Sequence, residues 1–146
     1  MILADAQATH DAGVALAPHL RAGDVVALSG DLGAGKTSFA RGVLAGLGLA
    51  GEAPSPSFAL VIPYAPPALR LPVWHVDLYR IEGKDEAEEL GLDDALYDSA
   101  LLIEWPERLG ERLWPETLRL YFTQLGDGRC LTVNAPPSWE ARCPFR

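Results

Sequence analysis

The sequence predicts a single α/β domain, and three observations carry that expectation. Two continuous apolar runs, "VVALSG" at 25–30 and "ALLIEW" at 100–105, have the pattern of strands buried on both faces. Next to them the apolar period lengthens to that of amphipathic helices. The chain has 146 residues, 49% hydrophobic and 22% charged, which suits one well-buried core spanning 1–146.

Taken in order, "THDAGVALAPHL" reads as a helix that Asp5 or Thr9 can cap, with Ala12, Leu16 and Leu20 on one face. The buried strand at 25–30 ends in glycine. From Lys36, the residues Ala40, Val43, Leu44 and Leu47 recur at helical spacing, and Gly48 closes that helix. "EAPSPS" is a proline-punctuated loop. "FALVIPY" and "LPVWHVDLYR" are strand-like and can pair as a hairpin across "APPALR". "DEAEELGLDDALYD" is short-helix material inside a segment with eight acids between Glu82 and Asp98. It reads either as a solvated acidic face or as a docking surface for a basic partner. "ALLIEW" is the second buried strand, and "TLRLYF" with "RCLTVNA" forms a closing hairpin. The Pro- and Arg-bearing tail after about 135 is expected to be loosely ordered.

Composition narrows the function classes. The formal net charge is −8, the opposite of a free-standing nucleic-acid binder, whose affinity comes largely from neutralised phosphates. If the chain serves a nucleic-acid pathway, a partner must hold the polymer. No run is long enough to span a membrane, and "MILADAQATHDAG" lacks the basic and apolar regions of an export signal, so a cytoplasmic setting is expected. Cys130 and Cys143 have no companion ligand spacing. They read as two thiols in a reducing compartment rather than a zinc site.

The strongest chemical signal is Gly30-Asp31-Leu32-Gly33-Ala34-Gly35-Lys36-Thr37, which matches G-x-x-x-x-G-K-[ST], with Ser38 opening the following helix. Glycines allow positive φ and leave no Cβ to obstruct a phosphate. Successive N–H groups and the helix N-terminus then favour an anion. Of two lysines against ten arginines, one stands here: Lys36 reaches the β- and γ-phosphates as a compact charge, and the Thr37 hydroxyl suits Mg²⁺. The bare alternative is a glycine-rich turn that binds nothing.

A carboxylate at the end of a buried strand completes such sites by holding magnesium, directly or through water. "ALLIE" offers Glu104, though an acid there also marks where a strand surfaces. Alternation in "HVDLYR" puts Val73, His75, Asp77 and Tyr79 on one face. Asp77 can approach the γ-phosphate region only if its strand neighbours the strand at 25–30, and is otherwise an ordinary strand carboxylate; His75 reads better as structural. Ser55 and Ser57 in "SPSF" fit either a γ-phosphate-sensing switch or a proline-stiffened turn. An N-K-x-D guanine signature is absent, which points to adenine.

Together, "GDLGAGKTSFARG", "SPSFALV", "HVDLYR" and "IEWPE" resemble the TsaE (YjeE) family, bacterial ATPases required to make threonylcarbamoyladenosine in tRNA, from about Asp5 to Arg129. The resemblance implies a compact, three-layer P-loop NTPase fold of the α/β class with a mixed, partly antiparallel sheet. It implies ATP and Mg²⁺ as cofactors, TsaB and TsaD as partners, and tRNA reached only through them. It places ATP phosphates on Leu32 to Thr37, Mg²⁺ on Thr37 and Glu104, and Asp77 at the nucleotide site. Glu107 falls where the family also approaches ATP, and Trp105 matches the family's tryptophan. This chain has "SPSF" where the family usually reads "SPTF"; Ser57 keeps the hydroxyl and loses the methyl that stiffens its rotamer.

Two other functions fit the same residues. A small-molecule or nucleotide kinase would need lid arginines, for which Arg108 and Arg112 are candidates. A nucleotide-dependent binding switch would need only the phosphate cradle.

Overall fold

In the computed structural model, residues 1–31, 33 and 35–145 are described, with the main chain alone at Lys84. The apolar run Val25–Gly30 (β2) is the middle of a seven-stranded sheet. The other strands are Ile2–Leu3 (β1), Val61–Tyr64 (β3), Val73–Asp77 (β4), Ala100–Glu104 (β5), Leu118–Leu125 (β6) and Gly128–Asn134 (β7). Their order is β1-β7-β6-β2-β5-β4-β3. Four neighbouring strands, β6, β2, β5 and β4, run parallel, while β3 pairs β4, β7 pairs β6 and β1 pairs β7 antiparallel. The sheet is therefore mixed, and both expected hairpins form.

Helices Ala6–Leu16 (α1) and Lys36–Gly46 (α2) cover one face. The Asp5 carboxylate accepts from the Ala8 N–H at 2.8 Å and caps α1. Leu16, Phe39, Val43 and Leu44 meet Leu28, Leu102, Leu120 and Phe122 from the sheet, a dense apolar layer. The other face buries Val25, Val76, Leu101 and Ile103 under two short helices, Lys84–Glu88 (α3) and Leu92–Ala95 (α4), and a 3-10 turn over Pro106–Arg112. The acidic segment thus roofs the sheet through Ala87, Leu92 and Ala95 while Glu88, Asp93 and Asp94 stay outside.

The tail differs from the sequence expectation. Pro137–Glu140 (α5) buries Trp139 completely, and Phe145 packs against Phe39 with ring centroids 6.1 Å apart. Arg142 lies over the Trp139 ring and forms a two-pronged pair with Asp24 at 2.6 and 2.7 Å. Proline and arginine composition suggested looseness, but one large aromatic and one bidentate ion pair hold this segment. β1 was also unanticipated, because two residues carry no periodic signal. Among the described residues, no helix is long and apolar enough to cross a membrane.

α1 and α2 touch closely because glycines face each other. A Cβ on Gly42 would lie 2.0 Å from the His10 carbonyl oxygen, and one on Gly13 would lie 2.2 Å from that of Phe39. This crossing sets how α2 sits on the sheet, and hence where its N-terminus points. Gly42→Ala should therefore destabilise by about 1–3 kcal/mol, outweighing the ~1 kcal/mol alanine gains in helix propensity. Urea unfolding would show a lower midpoint; an unchanged or higher one would contradict the close crossing.

Candidate functional site

The parallel strands end together. In register, Leu28 of β2 faces Glu104 of β5, and Glu104 faces Asp77 of β4. The glycine-rich turn leaves β2 at this edge, where α/β sheets present their ligand crevices. Gly30, at φ 143°, could carry no side chain, because a Cβ would lie 2.4 Å from the Phe122 carbonyl oxygen. Gly35, at φ 107°, stands at the N-cap of α2 and turns the chain into the helix. Leu32 and Ala34, two expected phosphate contacts, lie outside the described residues. Asp31 is exposed and Gly33 lines the cleft.

Lys36 folds back over the turn. Its ammonium donates to the carbonyls of Gly30 and, at 2.9 Å, Asp31, and it sits 4.3 Å from the centre of the Trp105 ring. Burial pushes this ammonium below the ordinary lysine value of 10.5. The charges of Glu104, then Glu107, Asp77 and Asp31, oppose that shift. Trp105 reaches its position through a left-handed backbone, φ 60°, unusual for a bulky residue. Its other neighbour is Tyr79, with ring centroids 4.9 Å apart.

Glu104 is buried and accepts two side-chain donors. The Thr37 hydroxyl donates to Oε1 at 3.0 Å, and His75 Nε2 lies 2.7 Å from Oε2. Asp77, also buried, accepts from the Tyr79 N–H at 2.9 Å and from the Ser57 hydroxyl at 3.3 Å. Ser57 in turn is 2.8 Å from Ser55 Oγ. Asp77 enters the cleft although β4 is one strand removed from β2. The intervening β5 sets the register, and direct adjacency was not needed.

Lys36, Thr37, Ser38, Ser57, Asp77, Glu104 and Trp105 thus share one cleft of about 190 Å³. Ser55 joins it through Ser57. Glu107 does not line it; its side chain borders a separate small cavity beside β2 and β6 and reaches Lys36 only through its charge. Arg112 pairs with Glu88, and Arg108 lies 5.9 Å from the Tyr79 ring; neither lines the cleft. A larger cavity, about 680 Å³, is bounded by Glu88, Asp93, Asp94, Arg112 and Trp114. Its one guanidinium is paired with Glu88 and two further carboxylates stand beside it, a poor setting for phosphate, so size does not mark the site.

Sequence reading missed Arg129. At the start of β7, it donates from Nη2 to the Gly33 carbonyl at 2.9 Å, and its buried Nε lacks a partner among the described residues. This brings a guanidinium to the turn from 96 positions away along the chain. No local motif announces such a contact.

A model of the family described as "Threonylcarbamoyl adenosine biosynthesis protein TsaE" matches residues 3–130. The chain belongs to the TsaE family. Membership places it in the biosynthesis of threonylcarbamoyladenosine in tRNA. The Streptomyces coelicolor TsaE protein is 47% identical over 109 residues, covering 74% of each chain. That of Treponema pallidum is 36% identical over 130 residues, covering 88% of this chain and 94% of its own. The crystal structure of Bacillus subtilis YdiB superposes with a TM-score of 0.81 at 31% identity, covering 98% of this chain and 89% of that one. The fold is the P-loop NTPase fold of the TsaE family, as the motifs implied.

The electrostatics of the cleft give a direct test. With ¹³Cε-labelled lysine the chain yields two signals, from Lys36 and Lys84. Lys36 should titrate below the ordinary lysine range. Glu104→Gln should move it further down, because the largest opposing charge is gone. A rise on that substitution would contradict the arrangement.

Proposed function

We propose that the protein binds ATP with magnesium in this cleft, hydrolyses it slowly alone, and thereby supports repeated turnover of a TsaB–TsaD complex that modifies tRNA. The observation that carries this reading is the bond between the Thr37 hydroxyl and the buried Glu104 carboxylate, beside the Lys36 ammonium. A hard cation in such sites takes one or two protein oxygens plus phosphates and water. Thr37 and Glu104 are oxygen donors already facing one another. Among the described residues no three His, Cys, Asp or Glu side chains form a metal cage, so the ion would arrive with the nucleotide.

Backbone N–H groups from Gly30 to Ser38 and the N-terminus of α2 would surround the phosphates. Lys36 would exchange its carbonyl partners for β- and γ-oxygens. Magnesium, held by Thr37 and Glu104, would offset charge on those oxygens. Asp77 would orient the attacking water, with Ser57 and Ser55 responding to the γ-phosphate through the bonds they already make to Asp77 and each other. Arg129 would add positive charge on the Gly33 side.

Among the described residues that line the cleft, Arg129 is the sole arginine, and it lies at the turn rather than beside Asp77. Among the described residues lining the cleft, none sets a guanidinium beside Asp77, where such a group accelerates related sites by about 10³–10⁵. That favours slow intrinsic turnover and a partner-supplied group. The −8 net charge supports a division of labour in which TsaB and TsaD hold the tRNA.

Isolated protein should turn over ATP below roughly 0.1 s⁻¹, under the usual enzyme range of about 1–10³ s⁻¹. It should come down with a TsaB–TsaD pair more strongly when ATP is present. Faster turnover alone, or phosphoryl transfer to a nucleoside above the rate to water, would count against this function. Lys36→Ala should remove ATP binding measured by calorimetry. Glu104→Ala should bind ATP yet fail to sustain modification; full modification by that variant would favour a binding switch.

A further inference from the structure

His75 has the right neighbours for more than a core residue. It is fully buried in β4, on the face that carries Val73 and Asp77 toward α2. Its register partner on β5 is Leu102, so the imidazole must lean forward along the strand to meet Glu104. It arrives with Nε2 2.7 Å from Oε2, while Nδ1 is buried without a partner among the described residues. The ring does not line the cleft. Among the described residues its single polar contact is therefore Glu104 Oε2, which the Thr37 hydroxyl reaches at 3.2 Å while lying closer, at 3.0 Å, to Oε1.

The donor logic assigns the tautomer. Glu104 accepts from Thr37, and an ionised carboxylate has only acceptors, so the short contact requires the proton on Nε2. An apolar residue would satisfy this site among Val73, Ala100 and Leu102 at less desolvation cost, unless the bond to Glu104 is what matters. Carboxylates that hold a metal are oriented by such outer hydrogen bonds, whose loss costs about 10–100-fold in metal affinity.

We propose that His75 is a positioning residue: its Nε2–H fixes one oxygen of Glu104 so that the other stays aimed, with Thr37, at the divalent cation of a bound nucleotide. This rests on the reading of Glu104 as the metal carboxylate. A hydroxyl carries one proton and two lone pairs, so Thr37 could give a lone pair to the cation and still donate to Glu104, with His75 as the second donor that holds the carboxylate rotamer. The phosphate cradle does not involve His75, so its contribution belongs to the metal and not to the nucleotide.

The test compares His75→Gln with His75→Asn. Glutamine puts an amide N–H where Nε2 stands; asparagine is one methylene shorter and cannot reach. Mn²⁺ binding to the complex with a non-hydrolysable ATP analogue is read by electron paramagnetic resonance. Affinity for the analogue in EDTA is read by calorimetry. His75→Asn should weaken Mn²⁺ binding by about 10–100-fold and leave metal-free analogue affinity unchanged, while His75→Gln should restore Mn²⁺ binding close to wild type. Equal Mn²⁺ affinity in all three proteins would overturn the proposal, as would equal losses with and without metal or a glutamine variant as weak as the asparagine one. If a variant does not fold, ¹⁵N spectra of the wild-type histidines decide: a neutral His75 with its proton on Nδ1 would overturn the proposal. Failure of the wild type to bind Mn²⁺ with the analogue would instead take down the functional reading, and this inference with it.

Discussion

The parallel pairing of β2 with β5 is the constraint on which the site depends. It sets Leu28 opposite Glu104 and lets the turn after Gly30 and the end of β5 open on the same edge. Shifting β5 by one residue would turn Glu104 to the opposite face of the sheet. The cost of such a slip guards against it, because Glu104 would lose Thr37 and His75 and enter the opposite apolar layer unpaired. The chemistry of the cleft is thus a consequence of how two hydrophobic strands fill two layers.

The cleft then concentrates charge that must be balanced. Lys36 lies among Glu104, Asp77 and the carbonyls of the turn, with the Trp105 face beneath it. The ammonium is satisfied by the loop itself, and the Thr37 hydroxyl by Glu104. These internal bonds keep the buried polar groups paired. In the proposed complex, phosphate oxygens would take the place of the carbonyls around Lys36, and the cation would take a lone pair of the Thr37 hydroxyl.

The turn and Glu104 were legible in the sequence because their signals are local: a glycine spacing, then an acid closing an apolar run. Asp77 was half legible. Alternation gave its face, but only the strand order and register show that β4, paired to β5, brings it beside Glu104 in the cleft. Arg129, the bond from His75 to Glu104 and the burial of Trp139 were hidden, because each joins segments brought together only by the folded sheet. Trp139 shows the limit of composition most clearly, since one indole outweighs the prolines around it. β1 escaped notice for the opposite reason: it is too short to have a period, and its pairing with β7 supplies the order.

A crystal structure with a non-hydrolysable ATP analogue and Mn²⁺, using the anomalous signal of the ion, would test the central claim most directly. The account predicts the ion bonded to Thr37 Oγ1, with Glu104 bound to it or one water away, and the phosphates over the N-terminus of α2. An ion remote from both residues, or a nucleotide seated in the acidic cavity beside Trp114, would contradict it.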